Sequence, residues 1–231
     1  MSKDWGFHFS ARINRLLTRS LARIRVLGIP QVPGQGSLLV AANHISHFDP
    51  FFAGPPLGRP VDFMAMEEFF EWPLAGRWMR WVGAIPVKRG ADFGATRELL
   101  RRAREGRLLF IFPERGIRTG PASMLEGASP SIGTMAFAHR LDLPVLPCVV
   151  LGTDQFYDWK KWFTRPRVWI AFGEPLRPRD FSDAEALQES YLRVLRELYD
   201  RLRREHGVRP DELPMTPQRR KGRPDPAPAD R

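Results

Sequence analysis

Four short apolar runs recur along the chain, and each of them ends in charged, polar or glycine residues. The runs cover residues 37–42, 82–87, 108–112 and 145–151. Short, continuously apolar runs are typical of strands that are buried on both faces, as in a parallel sheet. Apolar residues at helical spacing mark the segments 92–105, 131–140 and 182–207. The pattern predicts an α/β fold, with a single domain built on a central, mostly parallel sheet flanked by helices.

The N-terminal segment separates apolar and basic residues on two stripes of one helix. The apolar stripe consists of Phe9, Ile13, Leu16, Leu17, Leu21, Ile24 and Leu27. The basic stripe consists of Arg12, Arg15, Arg19 and Arg23. Such a helix either lies in a membrane interface, with its arginines on anionic headgroups, or packs its apolar stripe against the domain. The sequence leaves both outcomes open.

These patterns divide the chain into three parts. Residues 1–27 form the basic amphipathic helix, residues 28–207 form the α/β domain, and residues 208–231 form a basic tail. The tail is rich in proline and charge and has little to bury, so we expect it to be disordered. No run approaches the roughly 18 apolar residues of a membrane-spanning helix, and the N-terminus lacks the pattern of a signal peptide. We therefore expect a cytoplasmic protein that is peripheral to a membrane.

Composition limits the class of protein. The 231 residues are 43% hydrophobic, which suffices for one domain with a sizeable core. The net charge of +10 indicates an anionic partner, either a nucleic acid or an anionic lipid surface, and charge alone does not decide between them. Cys148 is the single cysteine and lies inside an apolar run. It excludes a disulfide framework, and we expect it to pack as a small buried hydrophobic residue.

The first apolar run leads into a histidine and a carboxylate, His44 and Asp49, that can act together. A histidine can take a proton from a hydroxyl, and a carboxylate on its second ring nitrogen fixes the tautomer and stabilises the imidazolium. Alternatively, His44 caps a turn and Asp49 caps the next helix. A third reading joins His47 to the pair as part of a zinc site, although no other histidine has a recognisable ligand spacing.

Two of the other runs end in residues suited to binding an anion. These residues are Arg89, Glu114, Gly116 and Arg118. Open α/β sheets bind ligands beyond the carboxyl ends of their strands, so we expect these residues to meet His44 in one crevice. Guanidinium groups form forked hydrogen bonds with phosphate, and glycine lets backbone N–H groups approach an anion closely. The alternative is that the two arginines are solvated surface charges.

The same segments resemble the sequence blocks of the glycerolipid acyltransferase family, whose best known members are the 1-acylglycerol-3-phosphate acyltransferases. Four blocks match in order. They are the NHxSxxD block at 43–49, a block ending in arginine at 83–89, the FPEGTRS block at 112–119 and a proline-bearing block at 145–149. The resemblance extends from about residue 27 to about residue 176.

The resemblance implies a glycerol-3-phosphate acyltransferase-like fold and a role for each candidate residue. His44 would be the general base and Asp49 would orient it. Arg89 and Arg118 would hold the phosphate of the acceptor. The other implied substrate-binding residues are Glu114, which would bond a glycerol hydroxyl or orient an arginine, and Gly116.

The resemblance also implies the substrates. The acyl donor would be acyl-CoA or acyl carrier protein, used as a co-substrate, with no cofactor and no metal. The acceptor would be a lysophospholipid, 1-acylglycerol-3-phosphate, and the product phosphatidic acid. This step of phospholipid biosynthesis would take place on the anionic inner face of the cell membrane, with no nucleic acid involved.

Two positions depart from the family pattern and keep another acceptor open. Arg115 follows the glutamate of the third block, where the family has glycine, so it is either an insertion or a replacement. An insertion leaves Arg118 on the family's arginine position, whereas a replacement puts Ile117 there and weakens the case for phosphate binding. Glu126 stands where relatives often carry lysine. The alternative acceptor is another lysolipid or lipid alcohol, such as a lyso-ornithine lipid.

Two further readings remain. A cluster of aromatic and sulfur side chains precedes the second block, at Phe69, Phe70, Trp72, Trp78, Met79 and Trp81. It is either core, an interfacial surface or a groove for an acyl chain. The whole chain could also be a basic module that binds nucleic acid or membrane without catalysis.

Overall fold

A seven-stranded sheet lies at the centre of the described residues, which are 5–28, 35–88 and 92–220 in the computed structural model. The strands are β1 (Arg23–Leu27), β2 (Leu38–Ala42), β3 (Val61–Met66), β4 (Ile85–Val87), β5 (Leu108–Ile111), β6 (Val145–Leu151) and β7 (Arg167–Phe172). Their order in the sheet is β1-β7-β6-β2-β5-β3-β4. Only the β6–β7 pair is antiparallel among these strands. The predicted α/β fold with a mostly parallel sheet is confirmed.

Helices cover both faces of this sheet. They are α1 (Trp5–Leu21), α2 (Asp49–Ala53), α3 (Pro73–Val82), α4 (Phe93–Arg104), α5 (Gly133–Arg140), α6 (Ala184–Glu205) and α7 (Pro217–Arg220). Aspartate side chains cap the N-termini of α4 and α6. Asp92 accepts the Ala95 N–H at 2.9 Å, and Asp183 accepts the Ala186 N–H at 2.8 Å. None of the described helices is both long enough and apolar enough to span a membrane.

The core lies in two layers, one on each side of the central strands. One layer packs α4, α5 and α6 against the sheet, and the other packs α2 and the end of α1 against it. Every residue of β2 and β6 is buried, as their continuously apolar sequences predicted. Cys148 is buried in β6, where burial raises the pKa of its thiol, so the prediction of a packed, inert cysteine is confirmed.

The predicted N-terminal helix is too long. Helix α1 ends at Leu21, and residues 23–27 form β1, which pairs in parallel with β7. Ile24 and Leu27 fit the spacing of the helical stripe, but the β-branched residues Ile24 and Val26 also suit a strand. Pairing with β7 supplies hydrogen bonds along one edge of the segment. The boundary at residue 27 is therefore wrong, because residues 23–27 belong to the sheet of the domain.

The predicted disorder of the tail is wrong for residues 208–220. Glu212 has no accessible surface and accepts hydrogen bonds from the indole N–H of Trp169 at 3.0 Å and from Arg167 Nε at 2.6 Å. A charged segment can be buried when its ionic groups find partners, which composition alone does not reveal. Residues 221–231, the remainder of the predicted tail, lie outside the described residues.

Candidate active site

Three neighbouring parallel strands bring the candidate residues to one edge of the sheet. β5, β2 and β6 are adjacent, and their carboxyl ends lie side by side. His44 follows β2, Glu114 follows β5, and Thr153 follows β6. Side chains far apart in sequence therefore meet beyond this edge, as is general for open α/β sheets.

His44 and Asp49 form a hydrogen-bonded pair. His44 Nδ1 lies 2.8 Å from Asp49 Oδ2, and the carboxylate is fully buried while the imidazole keeps 17% of its surface accessible. An ionised carboxylate only accepts hydrogen bonds, so Nδ1 carries the proton and Nε2 is left to accept one from a ligand. The His44 ring also stacks on Phe112, with centroids 4.2 Å apart. This is the geometry of a general base with its orienting acid.

Asp49 is held by several donors in addition to His44. Oδ2 accepts the backbone N–H groups of Ile45 at 2.8 Å and Ser46 at 3.0 Å, and Oδ1 accepts the hydroxyl of Thr153. The N-cap of α2 is Phe48, with no side-chain capping bond, so Asp49 does not cap the helix as the alternative reading proposed. The carboxylate instead fixes the loop that presents His44.

Glu114 lies behind His44 and holds its backbone. Its Oε2 accepts the His44 N–H at 2.8 Å, and its Oε1 accepts the Met124 N–H at 2.7 Å and the Ser123 hydroxyl at 3.0 Å. Burial raises the pKa of this carboxyl, and the bonds from Met124 and His44 oppose that effect. In the described part of the chain, no arginine is among the hydrogen-bond partners of this carboxylate. Because both oxygens are used by the two loops, the geometry fits a positioning role.

The third block contributes Arg118, Gly116 and Ile117 to the same place. The Arg118 N–H donates to the carbonyl of His44 at 2.9 Å, and its side chain is exposed. Gly116 and Ile117 line the cavity described below. Arg115 has a φ of 51°, in the left-handed region that favours glycine. Arg89 lies outside the described residues, so its predicted role is not located.

An apolar cavity of about 530 Å³ opens beside His44. Its walls come from α1, α2, β3 and α3, and include Phe51, Phe63, Met64, Phe69, Trp72, Trp78 and Met79. Helix α1 closes one side, where Trp78 donates to the Ser10 hydroxyl at 3.0 Å and Asn14 donates to the Phe51 carbonyl at 2.6 Å. Four residues of the predicted aromatic cluster therefore line the cavity, whereas Phe70 and Trp81 are not part of its wall. One face of α1 packs on the domain.

The structure also locates His47 and Glu126, the residues on which two alternative readings of the sequence depended. His47 lines the cavity and its Nδ1 lies 2.6 Å from the hydroxyl of Tyr157. No group of three or more potential metal ligands forms among the residues that the structure describes. Glu126 accepts the hydroxyl of Tyr199 on α6 at 2.9 Å and is not part of the cavity wall.

Comparison with known proteins agrees with this geometry. Residues 23–151 match the family model described as Acyltransferase. The chain belongs to the acyltransferase family. This confirms the resemblance that the four sequence blocks indicated.

Individual relatives differ in how much they share with the chain. It is 30% identical to a lyso-ornithine lipid O-acyltransferase of Pseudomonas aeruginosa, over 72% of this chain and 69% of that protein. It is 26% identical to an uncharacterized protein of Mycobacterium tuberculosis, over 79% of this chain, and spans 62% of that protein's length. The crystal structure of the LPA acyltransferase PlsC from Thermotoga maritima matches with a TM-score of 0.70 at 24% identity, covering 84% of this chain and 78% of that one. The last match shows a shared fold.

Thr153 is a site residue that sequence reasoning missed. It follows β6 in the segment Gly152-Thr153-Asp154, is fully buried, and donates its hydroxyl to Asp49. Its position in the sequence could have indicated this, because Thr153 follows the fourth apolar run and the candidate site residues follow the other three. The partner, however, is 104 positions away in sequence and is visible only in the fold.

We expect the isosteric change Thr153→Val to lower kcat about tenfold with little effect on KM, because Asp49 loses a donor that fixes its orientation toward His44. Steady-state kinetics on the purified variants measures this. Thr153→Ser keeps the hydroxyl and should restore most of kcat. Equal losses in the valine and serine variants would point to packing rather than to positioning of Asp49.

Proposed function

We propose that this acyltransferase moves a fatty acyl group from a thioester, acyl-CoA or acyl-acyl carrier protein, to the hydroxyl of a lysolipid. The observation that carries the proposal is the His44–Asp49 pair at the wall of a deep apolar cavity. A proton acceptor beside an apolar groove suits a substrate with both a reacting hydroxyl and a fatty chain.

The reaction balances with these groups alone. His44 Nε2 takes the proton of the acceptor hydroxyl, and the oxygen attacks the thioester carbonyl carbon. The tetrahedral intermediate collapses, the C–S bond breaks, and the imidazolium returns the proton to the leaving thiolate. Asp49 keeps Nδ1 protonated throughout and stabilises the imidazolium, and its own bonds from the loop hold it in place.

The apolar cavity is the proposed site for the acyl chain. A volume of about 530 Å³ lies in the range of small-molecule sites in proteins. Its walls are mostly apolar and include several Phe, Trp and Met side chains, and the polar groups of His44 and His47 lie on its lining. In this arrangement the acyl chain occupies the cavity while the thioester carbonyl lies next to the His44 imidazole.

The proposed acceptor is 1-acylglycerol-3-phosphate, which yields phosphatidic acid. Arg118 supports this choice because its backbone N–H is bonded to the His44 carbonyl and its side chain is exposed beside that loop, within reach of a bound phosphate. Arg89 is the second proposed phosphate ligand. A guanidinium suits a phosphate through paired hydrogen bonds.

A lyso-ornithine lipid is a second candidate acceptor, and two observations favour it. The Pseudomonas aeruginosa relative at 30% identity carries that acceptor in its name. Arg115 has a backbone conformation that favours glycine, which supports the replacement; apolar Ile117, a cavity-lining residue, would then stand at the family's arginine position.

We also propose that α1 docks the protein on an anionic membrane. Phe9, Ile13, Leu16 and Leu17 form an exposed apolar stripe, with Leu16 at 73% exposure. The neighbouring face of α1 closes the cavity through Ser10 and Asn14. Arginines 12, 15 and 19 flank the exposed stripe, as in helices that lie in a bilayer interface.

The acceptor is tested by measuring thiol release from acyl-CoA and from acyl-acyl carrier protein with a panel of lysolipids. We expect turnover with 1-acylglycerol-3-phosphate, and Arg118→Ala should raise its KM about tenfold with kcat nearly unchanged, because the lost contact is to the phosphate. The same variant should leave the KM of lyso-ornithine lipid unchanged.

Arg104→Ala, which removes an exposed arginine of α4, is the matched control and should behave as the wild-type protein. Turnover with lyso-ornithine lipid alone would move the acceptor to the second candidate. Absence of turnover with every acceptor and both donors, in a folded protein, would contradict the proposed function.

A further inference from the structure

The connection between β6 and β7 carries an exposed aromatic surface. Residues Trp159–Phe163 form a short 3₁₀ turn, here called the aromatic turn. Trp159 is 68% exposed and Phe163 is 80% exposed, and their rings meet edge to face at 6.2 Å. Trp162 anchors the turn, because its indole N–H donates to the Phe156 carbonyl at 2.9 Å. One aromatic ring therefore fixes the turn while two project outward.

Cationic residues adjoin these two rings in the sequence. Lys160 and Lys161 lie within the aromatic turn, and Arg165 follows it. The nearby carboxylate of Asp158 is used as the cap of the turn, accepting the Lys160 N–H at 3.0 Å. Large aromatic side chains next to lysine and arginine are typical of protein surfaces at the interface of an anionic bilayer, where the rings enter the headgroup region and the cations meet lipid phosphates.

The aromatic turn is connected to the cavity and to α1. Tyr157, just before the turn, is hydrogen-bonded to His47, which lines the cavity with His44. Arg165, just after it, donates from Nη2 to the carbonyl of Arg19 in α1 at 2.8 Å. The residues that flank the turn therefore contact a cavity-lining histidine on one side and α1 on the other.

The large exposed hydrophobic side chains are concentrated around the cavity. In the described part of the chain, large exposed hydrophobic residues occur in α1, in 72–81, at Phe93 and in 157–163. Three of these four segments line or border the cavity. Within the same described residues, α5 and α6 expose none. Such clustering marks a surface that another apolar phase covers.

We propose that the aromatic turn is a second membrane-docking element, which together with α1 holds the cavity against an anionic bilayer. The inference rests on the proposed function, because only a lipid substrate requires the cavity to face a membrane. Two separate contacts fix the orientation of the protein on the surface, whereas α1 alone would allow it to rotate about the helix. A second membrane contact also raises the affinity for the bilayer above that of a single amphipathic helix.

The test is flotation of the full chain with vesicles of phosphatidylcholine containing phosphatidylglycerol. We expect the double variant Trp159→Ala/Phe163→Ala to bind about tenfold more weakly than the wild type. Lys160→Gln/Lys161→Gln should weaken binding at low salt and lose its effect at high salt. Leu16→Ser/Leu17→Ser in α1 should weaken binding as well, and combining it with the aromatic change should abolish binding.

Matched variants separate docking from other effects. The exchange Trp159→Phe/Phe163→Trp keeps two aromatic rings and should bind as the wild type does. Arg201→Gln/Arg204→Gln removes two exposed cations from α6 and should leave binding unchanged. Turnover of a short-chain, monomeric lysolipid should be the same in the docking variants as in the wild type, which shows that the active site is intact.

Each result decides one claim. Vesicle binding that is unchanged in both the aromatic and the lysine variants overturns the inference, whatever the activity. Wild-type protein that binds nucleic acid or a second copy of itself instead of vesicles also overturns it. Reduced vesicle binding in a protein that turns over none of the lysolipids supports the docking surface while refuting the proposed reaction.

Discussion

His44→Ala is expected to lower kcat by about 10³-fold or more, with the fold and vesicle binding intact. The imidazole is the proton acceptor of the proposed reaction, and general bases contribute roughly 10²–10⁴-fold. Because Glu114 and Arg118 hold the backbone of residue 44 rather than its ring, truncation of the side chain leaves the loop in place. Thiol release in single-turnover and steady-state assays measures the loss.

His139→Ala is the matched control for the loss of an imidazole. His139 lies in α5, where its Nε2 is 3.3 Å from the Phe181 carbonyl, and it is not part of the cavity wall. We expect this variant to retain wild-type turnover. Asp49→Asn should also lose most of the activity, since an amide does not fix the Nδ1 proton. A His44→Ala protein that keeps turnover within tenfold of the wild type would refute the assigned base.

Glu212→Ala is expected to produce the largest loss of stability among the proposed changes, about 3 kcal/mol. The carboxylate has no accessible surface, and its removal leaves Arg167 and the Trp169 indole without their acceptor. Unpairing a buried ion pair costs about 3–5 kcal/mol, and the low end applies because the Arg167 side chain is one quarter accessible and recovers some hydration. For a chain of this length the melting temperature should fall by roughly 10 °C, measured by calorimetry.

The same carboxylate gives the stability a defined pH dependence. Burial alone raises the pKa of Glu212, but hydrogen bonds from the Arg209 backbone, Trp169 and Arg167 outweigh it, so the pKa is lowered. In the window between this lowered pKa and the ordinary one the unfolded chain binds more protons, and stability rises with pH. The contribution is therefore complete above about pH 4.5 and is lost as the pH falls through the folded pKa. The difference in melting temperature between wild type and Glu212→Ala should shrink on acidification.

Asp211→Ala is the matched control for Glu212→Ala. Asp211 pairs with Arg209 at 3.3 Å, but both side chains are largely exposed, so the melting temperature should barely change. A Glu212→Ala protein as stable as this control would mean that the end of the chain adds little to the fold, as the sequence had suggested.

Local patterns were enough for most of the secondary structure and for the contact between His44 and Asp49. The runs at β2, β5 and β6 are continuously apolar because these strands are covered on both faces, and a run of that kind is legible without the fold. His44 and Asp49 lie within one short block, so their contact is set by a local turn. The prediction failed where a segment's partner is remote, as for residues 23–27 beside β7 and for Glu212 beneath Trp169.

The sequence by itself determined the α/β class, the family and the closeness of His44 and Asp49, because periodicity and short blocks depend on neighbouring residues. The tertiary structure alone decided what surrounds that pair. It assigned Glu114 to the backbone of His44, added Thr153 to Asp49, and built the cavity from α1 and α3. These contacts join residues tens of positions apart, and each depends on which strands become neighbours in the sheet. Strand order is a property of the whole packed core, so no local pattern encodes it.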